Sequence, residues 1–382
     1  MILIYRISIV IVLLSLPLTA SSQMQISGLS DILFKNAEES DVTNLTFLGF
    51  SNFHSLRTRL FFDGTIDSDV YFFTQILVDN YNGFQLIAAY ARFQNLSSAK
   101  LNLQVGLIPA TIGSFAPRTY SDKNPLIGVP LLYNFHSALV PSSLGSSGTL
   151  AELSAAKDKR SKGGLPVIYD ACWNTGIELY GSSGKLDYSF GILSGSVSKP
   201  TAEQTKEIPQ ITSHFVYNFE PGLKIGASAY YGPYLSDEMF YEGDILENTE
   251  FNSKDFINAG IGYELYFAKR YLEIFSEAYY STWAYPGLPD LSSISGYFEF
   301  KYKIRPRWYI ASRFGLSEPG EIETTPGLKQ KWDYPVKRYE FGLGYKALRK
   351  MTVKLVTQIN RFDQTDSFDN ELIALQISSV FN

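Results

Sequence analysis

From Asn370 to Asn382 the chain alternates: Ile373, Leu375, Ile377 and Phe381 recur at period two, with Gln376 and Ser378 between them. Successive side chains of an extended segment point to opposite faces, so this is a strand with an apolar side and a polar side. So short a strand crosses a bilayer only inside a closed barrel, because an open edge would leave N–H and C=O groups unpaired in hydrocarbon. The pattern recurs at residues 25–34, 53–62, 70–78, 83–93, 101–108, 170–180, 186–194, 211–219, 223–231, 256–267, 271–283, 293–304, 308–316, 337–346, 351–360 and 371–381. An even number of strands is what a bacterial single-chain barrel needs. The expected fold is all-β: a 16-stranded antiparallel transmembrane β-barrel.

The links alternate as well. After even-numbered strands they are short and turn-like, at 63–67, 94–100, 181–184, 220–222, 268–270, 305–307 and 347–350. After odd-numbered strands they are mostly long and polar, at 35–52, 109–169, 195–210, 232–255, 284–292, 317–336 and 361–370, the exception being 79–82. Tight periplasmic turns and longer extracellular loops give this rhythm in outer-membrane barrels, and it places both termini in the periplasm.

The N-terminus agrees with export. Met1 to Arg6 carries one positive charge, Ile7 to Leu16 is apolar apart from Ser8 and Ser15, and Leu18-Thr19-Ala20-Ser21-Ser22-Gln23 is rich in small residues. This is the layout of a secretory signal peptide, with an apolar run too short for a membrane-spanning helix of about 20 residues. The expected division is a signal peptide at 1–22, cleaved near Ala20 or Ser22, then an outer-membrane barrel at 23–382 with 109–169 as an inserted long loop.

Composition excludes other classes. Tyr and Phe are abundant at 26 and 27 residues, whereas Cys172 is the only cysteine. Aromatic girdles at two membrane interfaces account for the first. The second rules out an intramolecular disulfide and, with no Cys/His cluster, a structural metal. The net charge of −5 becomes −6 once Arg6 leaves with the signal, which does not suggest a nucleic-acid partner.

Strand parity assigns faces. In the twelfth strand Phe298, Phe300, Tyr302 and Ile304 share one side, and Glu299, Lys301 and Lys303 share the other. The charged side must be luminal, because Arg or Lys facing lipid at the midplane costs about 2–4 kcal/mol. The same argument sends Arg57, Arg59, Lys224, Lys301, Lys303, Arg313, Arg338 and Lys354 inside, with Glu178, Asp187, Glu264, Glu273, Glu277, Glu299 and Glu340. Such mixed charge suits a wet interior of no single ion sign, and each group alone would be an ordinary solvated or paired side chain.

The link 109–169 is the third on the long side. Apolar residues fixed by two prolines, at 125 and 130, suggest an ordered, docked segment, and Ser142 to Gly148 suggests a flexible one. Arg118, Lys123, Lys157, Lys159, Arg160 and Lys162 against Asp122, Glu152 and Asp158 leave it at +3. Folded into the lumen it would make a positive constriction through Arg118 and Lys123; laid over the outer rim it would be a solvated face.

Two motifs carry a family resemblance: Gly106-Leu107-Ile108-Pro109-Ala110 followed by Asn124-Pro125-Leu126-Ile127-Gly128-Val129-Pro130-Leu131, and Trp173-Asn174-Thr175-Gly176-Ile177-Glu178-Leu179-Tyr180-Gly181. With them the chain resembles the outer-membrane porins related to the phosphate-selective porins O and P of Gram-negative bacteria. The resemblance implies sixteen strands, a homotrimer and a third loop that narrows the pore. Phosphate selectivity is not carried over, because the luminal charges here are mixed in sign.

A catalytic barrel would need an activated serine beside an imidazole. Of the three histidines, His54 and His214 lie on different strands with no acidic orienter evident in the sequence and His136 lies in the long link, and no G-x-S-x-G, H-E-x-x-H or phosphate-binding glycine motif is present. The sequence therefore reads as a porin without catalytic residues, metal or cofactor, its partners being outer-membrane lipid and lipopolysaccharide and small hydrophilic solutes. The alternatives are a structural or partner-binding barrel with a closed lumen, and an outer-membrane hydrolase.

Overall fold

A computed structural model describes residues 24–37, 54–79, 83–96, 100–140, 153, 157–158, 164–170, 173–201, 208–235, 253–285, 288–325 and 327–381. The expected signal segment at 1–22 and its cleavage site lie outside the described residues. So do Glu152, Lys159, Arg160, Lys162, the Ser142 to Gly148 stretch, Cys172 and the His54 side chain.

The strands are β1 (Met24–Ala37), β2 (His54–Asp67), β3 (Val70–Asp79), β4 (Gly83–Phe93), β5 (Asn102–Ile108), β6 (Asn174–Ser183), β7 (Leu186–Leu193), β8 (Gln210–Glu220) and β9 (Leu223–Pro233). They continue as β10 (Ile257–Lys269), β11 (Leu272–Trp283), β12 (Leu291–Arg305), β13 (Trp308–Pro319), β14 (Glu321–Thr325), β15 (Leu328–Lys331), β16 (Val336–Leu348), β17 (Met351–Phe362) and β18 (Asn370–Phe381). All except β14 and β15 pair with their neighbours in a closed antiparallel barrel of sixteen strands, each at a segment where the sequence alternates. The pair β14–β15 is a separate hairpin, within the stretch from 317 to 336 that the sequence reading leaves as a link. It is built of Glu, Thr, Lys and Gln with one inward Ile322, too polar to betray a strand.

Closure is made by the terminal strands, with Ile32 opposite Ile377 and Gly28 opposite Phe381. The Phe381 ring lies over Gly28, where any Cβ would collide with it, so the glycine is what lets the last aromatic fold flat across the seam. Outward faces carry large apolar residues: Phe298, Tyr302 and Ile304 on β12, Ile373 and Leu375 on β18 are all exposed, while Glu299, Gln376 and Ser378 between them are buried. An outside so covered has hydrocarbon as its solvent. Leu375→Arg, at the middle of β18, should cost about 2–4 kcal/mol, whereas Ile304→Arg at a strand end should cost about 0–1 kcal/mol. Urea unfolding in lipid vesicles measures the difference.

The core of the molecule lies inside the barrel. Ile112, Phe115, Val129, Leu132 and Tyr133 of the 109–169 link pack against Tyr230, Tyr279, Trp283 and Tyr297 of the wall. Leu126 and Ile127 pack against Leu33, Tyr309, Val356 and Leu372, and Leu131 and Phe135 against Val336 and Phe362. Each such side chain is worth about 1.5–3 kcal/mol when fully buried. Of the two positions open to the link in the sequence, its described residues take the inward one.

Candidate functional site: the lumen and the segment that crosses it

The inward segment is held by wall charges, and strand register positions those charges. Glu299 on β12 stands opposite Arg313 on β13, which stands opposite Glu340 on β16. Arg313 donates to both Glu340 oxygens at 2.6 and 2.8 Å and to Glu299 at 3.2 Å. The other Glu299 oxygen accepts from Arg118 of the segment. Arg118 also lies 3.4 Å from the Phe275 ring centre. Burial works most strongly against the Arg118 charge, but Glu299, Tyr297 and Glu277 together raise the group above its ordinary value. The chain of charges alternates in sign, which is what lets so many be buried.

A second cluster sits on β1 and β2. Asp31 on β1 stands opposite Arg57 on β2 and accepts its guanidinium at 2.9 Å, with Arg59 at 3.6 Å. Its other oxygen accepts from Ser121 of the segment. Nearby, Tyr120 donates to Gln75 on β3 at 2.7 Å. Arg118 thus touches β12 and Tyr120 touches β3, on nearly opposite sides of the ring, within three residues of chain. The segment crosses the lumen there.

Further ties fix the rest. Glu277 on β11 accepts from the Ser114 backbone N–H at 3.1 Å, from Tyr297 at 2.9 Å and from Tyr133. Lys354 on β17 donates to the carbonyls of Asn124 and Leu126 at 2.9 and 3.1 Å. Arg338 on β16 donates to Asn360 at 2.8 Å and reaches the Val129 carbonyl at 3.5 Å.

The predicted lining residues therefore divide. Arg57, Arg59, Arg118, Glu277, Glu299, Arg313, Arg338, Glu340 and Lys354 are buried between wall and segment. Glu178 is buried on β6, where it accepts from Gln104. Glu273 and Lys301, opposite each other on β11 and β12, pair at 2.9 Å and are partly exposed. Lys303 is exposed near the end of β12, and Lys123 is exposed in the segment, 3.3 Å from Asp122.

One expectation is corrected. His214 does have an acidic partner: its Nε2 lies 2.7 Å from Glu264, two strands away on β10. The contact passes over Gly226 of β9, where a Cβ would collide with the Glu264 carboxylate. A missing side chain on the intervening strand is invisible to a strand-by-strand reading. Asp31 was also missed, because it sits between Leu29 and Leu33 on an inward face that is otherwise apolar. Its register partner Arg57 was the available signal.

A closed sixteen-stranded barrel with a long-link segment seated inside is a porin-type fold. Among solved structures it is similar to the anion-selective porin of Comamonas acidovorans, at TM-score 0.59 and 9% identity over 94% of this chain and 100% of that one. It is similar to the outer membrane channel DcaP of Acinetobacter baumannii, at TM-score 0.59 and 12% identity over 95% and 98%. A loop-deletion mutant of OmpT, an outer membrane protein of Vibrio cholerae, matches at TM-score 0.58 and 8% identity over 94% and 100%. No family model and no curated protein matches the chain. At these identities the likeness is one of fold.

Proposed function

We propose that the protein is a bacterial outer-membrane porin, exported by a signal peptide at 1–22, through which small hydrophilic solutes diffuse past the third-loop segment. It acts without a catalytic step, its termini face the periplasm, and it assembles as a homotrimer. The observation that carries this reading is the interior itself: a wall charged in both signs, with an internal segment tied to those charges and packed on part of the wall through apolar side chains. Arg57, Arg59, Arg118 and Glu299, buried where the segment meets the wall, set the size of the narrowing by holding the segment in place, and the exposed Lys123 adds charge at its surface.

A closed-lumen barrel is the second reading, favoured by the crossing from β12 to β3 at Arg118 to Tyr120. Planar bilayer recording decides between them. The purified, folded barrel should give discrete ion-conducting steps, and a silent barrel overturns the porin reading. In a salt gradient Lys123→Gln should shift the reversal potential slightly toward cations, since it removes an exposed charge. Arg118→Gln should shift it further, because it uncovers Glu299.

A further inference from the structure

The short-turn end of the barrel is charged unevenly around its rim. The hairpins β10–β11, β12–β13 and β16–β17 are neighbours in the ring. Their turns carry Lys269, Arg270, Arg305, Arg307, Arg349 and Lys350, all exposed, and there is no Asp or Glu at 268–271, 303–308 or 346–351. The β2–β3 hairpin, across the ring from β10–β11, carries the exposed Asp63, Asp67 and Asp69 instead.

Register puts two of these cations on the outward side of the wall. Lys269 on β10 stands opposite Leu272 on β11, which stands opposite the exposed Tyr302 on β12. Arg305 stands opposite the exposed Trp308, which stands opposite Tyr345 on β16, and the two rings lie 4.4 Å apart. Residues opposite each other share a face, so Lys269 and Arg305 lie among rings and aliphatic groups that meet hydrocarbon. They are two strands apart, about 10 Å. Arg270 and Arg307 follow in the adjoining turns, and none of the four forms an ion pair among the described residues.

We propose that this edge is a binding site for anionic phospholipid and prefers a lipid with two phosphates, one seated at Lys269 and Arg270 and the other at Arg305 and Arg307, its acyl chains lying on Leu272, Tyr302 and Trp308. Long cationic side chains rooted among apolar groups extend their heads to the headgroup level, and each adds to the attraction for anionic lipid. A soluble acidic protein would reach the turn tips but not the outward Lys269 and Arg305. Free phosphate would leave the rings unused, and a single phosphate does not span the two hairpins. The site requires that the barrel stand in a membrane and is independent of whether it conducts.

Native mass spectrometry of the folded barrel in detergent, titrated with cardiolipin, phosphatidylglycerol and phosphatidylethanolamine, tests the site. Cardiolipin should bind tightest and phosphatidylethanolamine weakest. Replacing both outward cations, Lys269→Gln with Arg305→Gln, should weaken cardiolipin about 10- to 30-fold. An equal loss of charge elsewhere on the rim, Lys185→Gln with Lys224→Gln, should leave it unchanged. Trp308→Leu should weaken it with no change in charge, and all these variants should keep the urea midpoint of the parent. Equal affinity for the three lipids, or equal weakening by the two double variants, means diffuse attraction and overturns the site. Displacement of cardiolipin by inorganic phosphate, or equally tight binding of a decaglutamate peptide, assigns the cations to a soluble anion and overturns the lipid.

Discussion

Glu299→Gln should widen the passage: single-channel conductance rises severalfold and the barrel unfolds at lower urea. Glu299 is fully buried and serves two cations, Arg118 of the inner segment and Arg313 of the wall. Removing one partner from a buried pair costs about 3–5 kcal/mol, because the remaining charge has neither water nor counter-charge. Arg313 keeps Glu340, held through two nitrogens, so the wall is spared. Arg118 has no comparable substitute and lies in the part of the segment that crosses the lumen. The cheapest relief is for that crossing to leave the wall. Glu273→Gln is the control, since its pair with Lys301 is partly exposed and worth about 0–1 kcal/mol. Unchanged conductance in Glu299→Gln would mean that the crossing does not limit flow.

Asp31→Asn should turn the pore toward anions. Asp31 compensates Arg57 and Arg59 together and also receives Ser121. Its loss leaves two guanidiniums on one inward face and adds a positive charge to the lumen. The reversal potential in a salt gradient should move in the anion direction, and the shift should fade with concentration as the screening length falls from about 10 Å at 0.1 M to about 3 Å at 1 M. A loss of about 3–5 kcal/mol of stability should accompany it. An unaltered reversal potential with a lowered unfolding midpoint would assign Asp31 to structure alone.

The strands were legible because one physical constraint acts at every second residue: the outward face meets hydrocarbon and the inward face does not. That is why β12 could be oriented from Phe298, Glu299, Phe300 and Lys301 without any other strand. Interior contacts were not legible, since they depend on which strands face each other across the lumen. Asp31 hides between two leucines because the segment packs apolar residues on that part of the wall. The His214 and Glu264 pair depends on a glycine in a strand that contains neither. Strand parity has no access to depth, so it does not separate the eight wall residues Arg57, Arg59, Glu277, Glu299, Arg313, Arg338, Glu340 and Lys354, buried against the segment, from the partly exposed Glu273 and Lys301.

The crossing also bears on how the molecule withstands its surroundings. A hollow tube of strands resists being flattened only through the stiffness of its wall, since hydrogen bonds between neighbours allow the ring to become oval. Arg118 bonded to β12 and Tyr120 bonded to β3 place a strut across the barrel, with a charged joint at one end and a hydroxyl joint at the other. Lateral pressure from the bilayer then loads this strut as well as the hoop, so the residues that anchor the inner segment also brace the barrel against becoming oval.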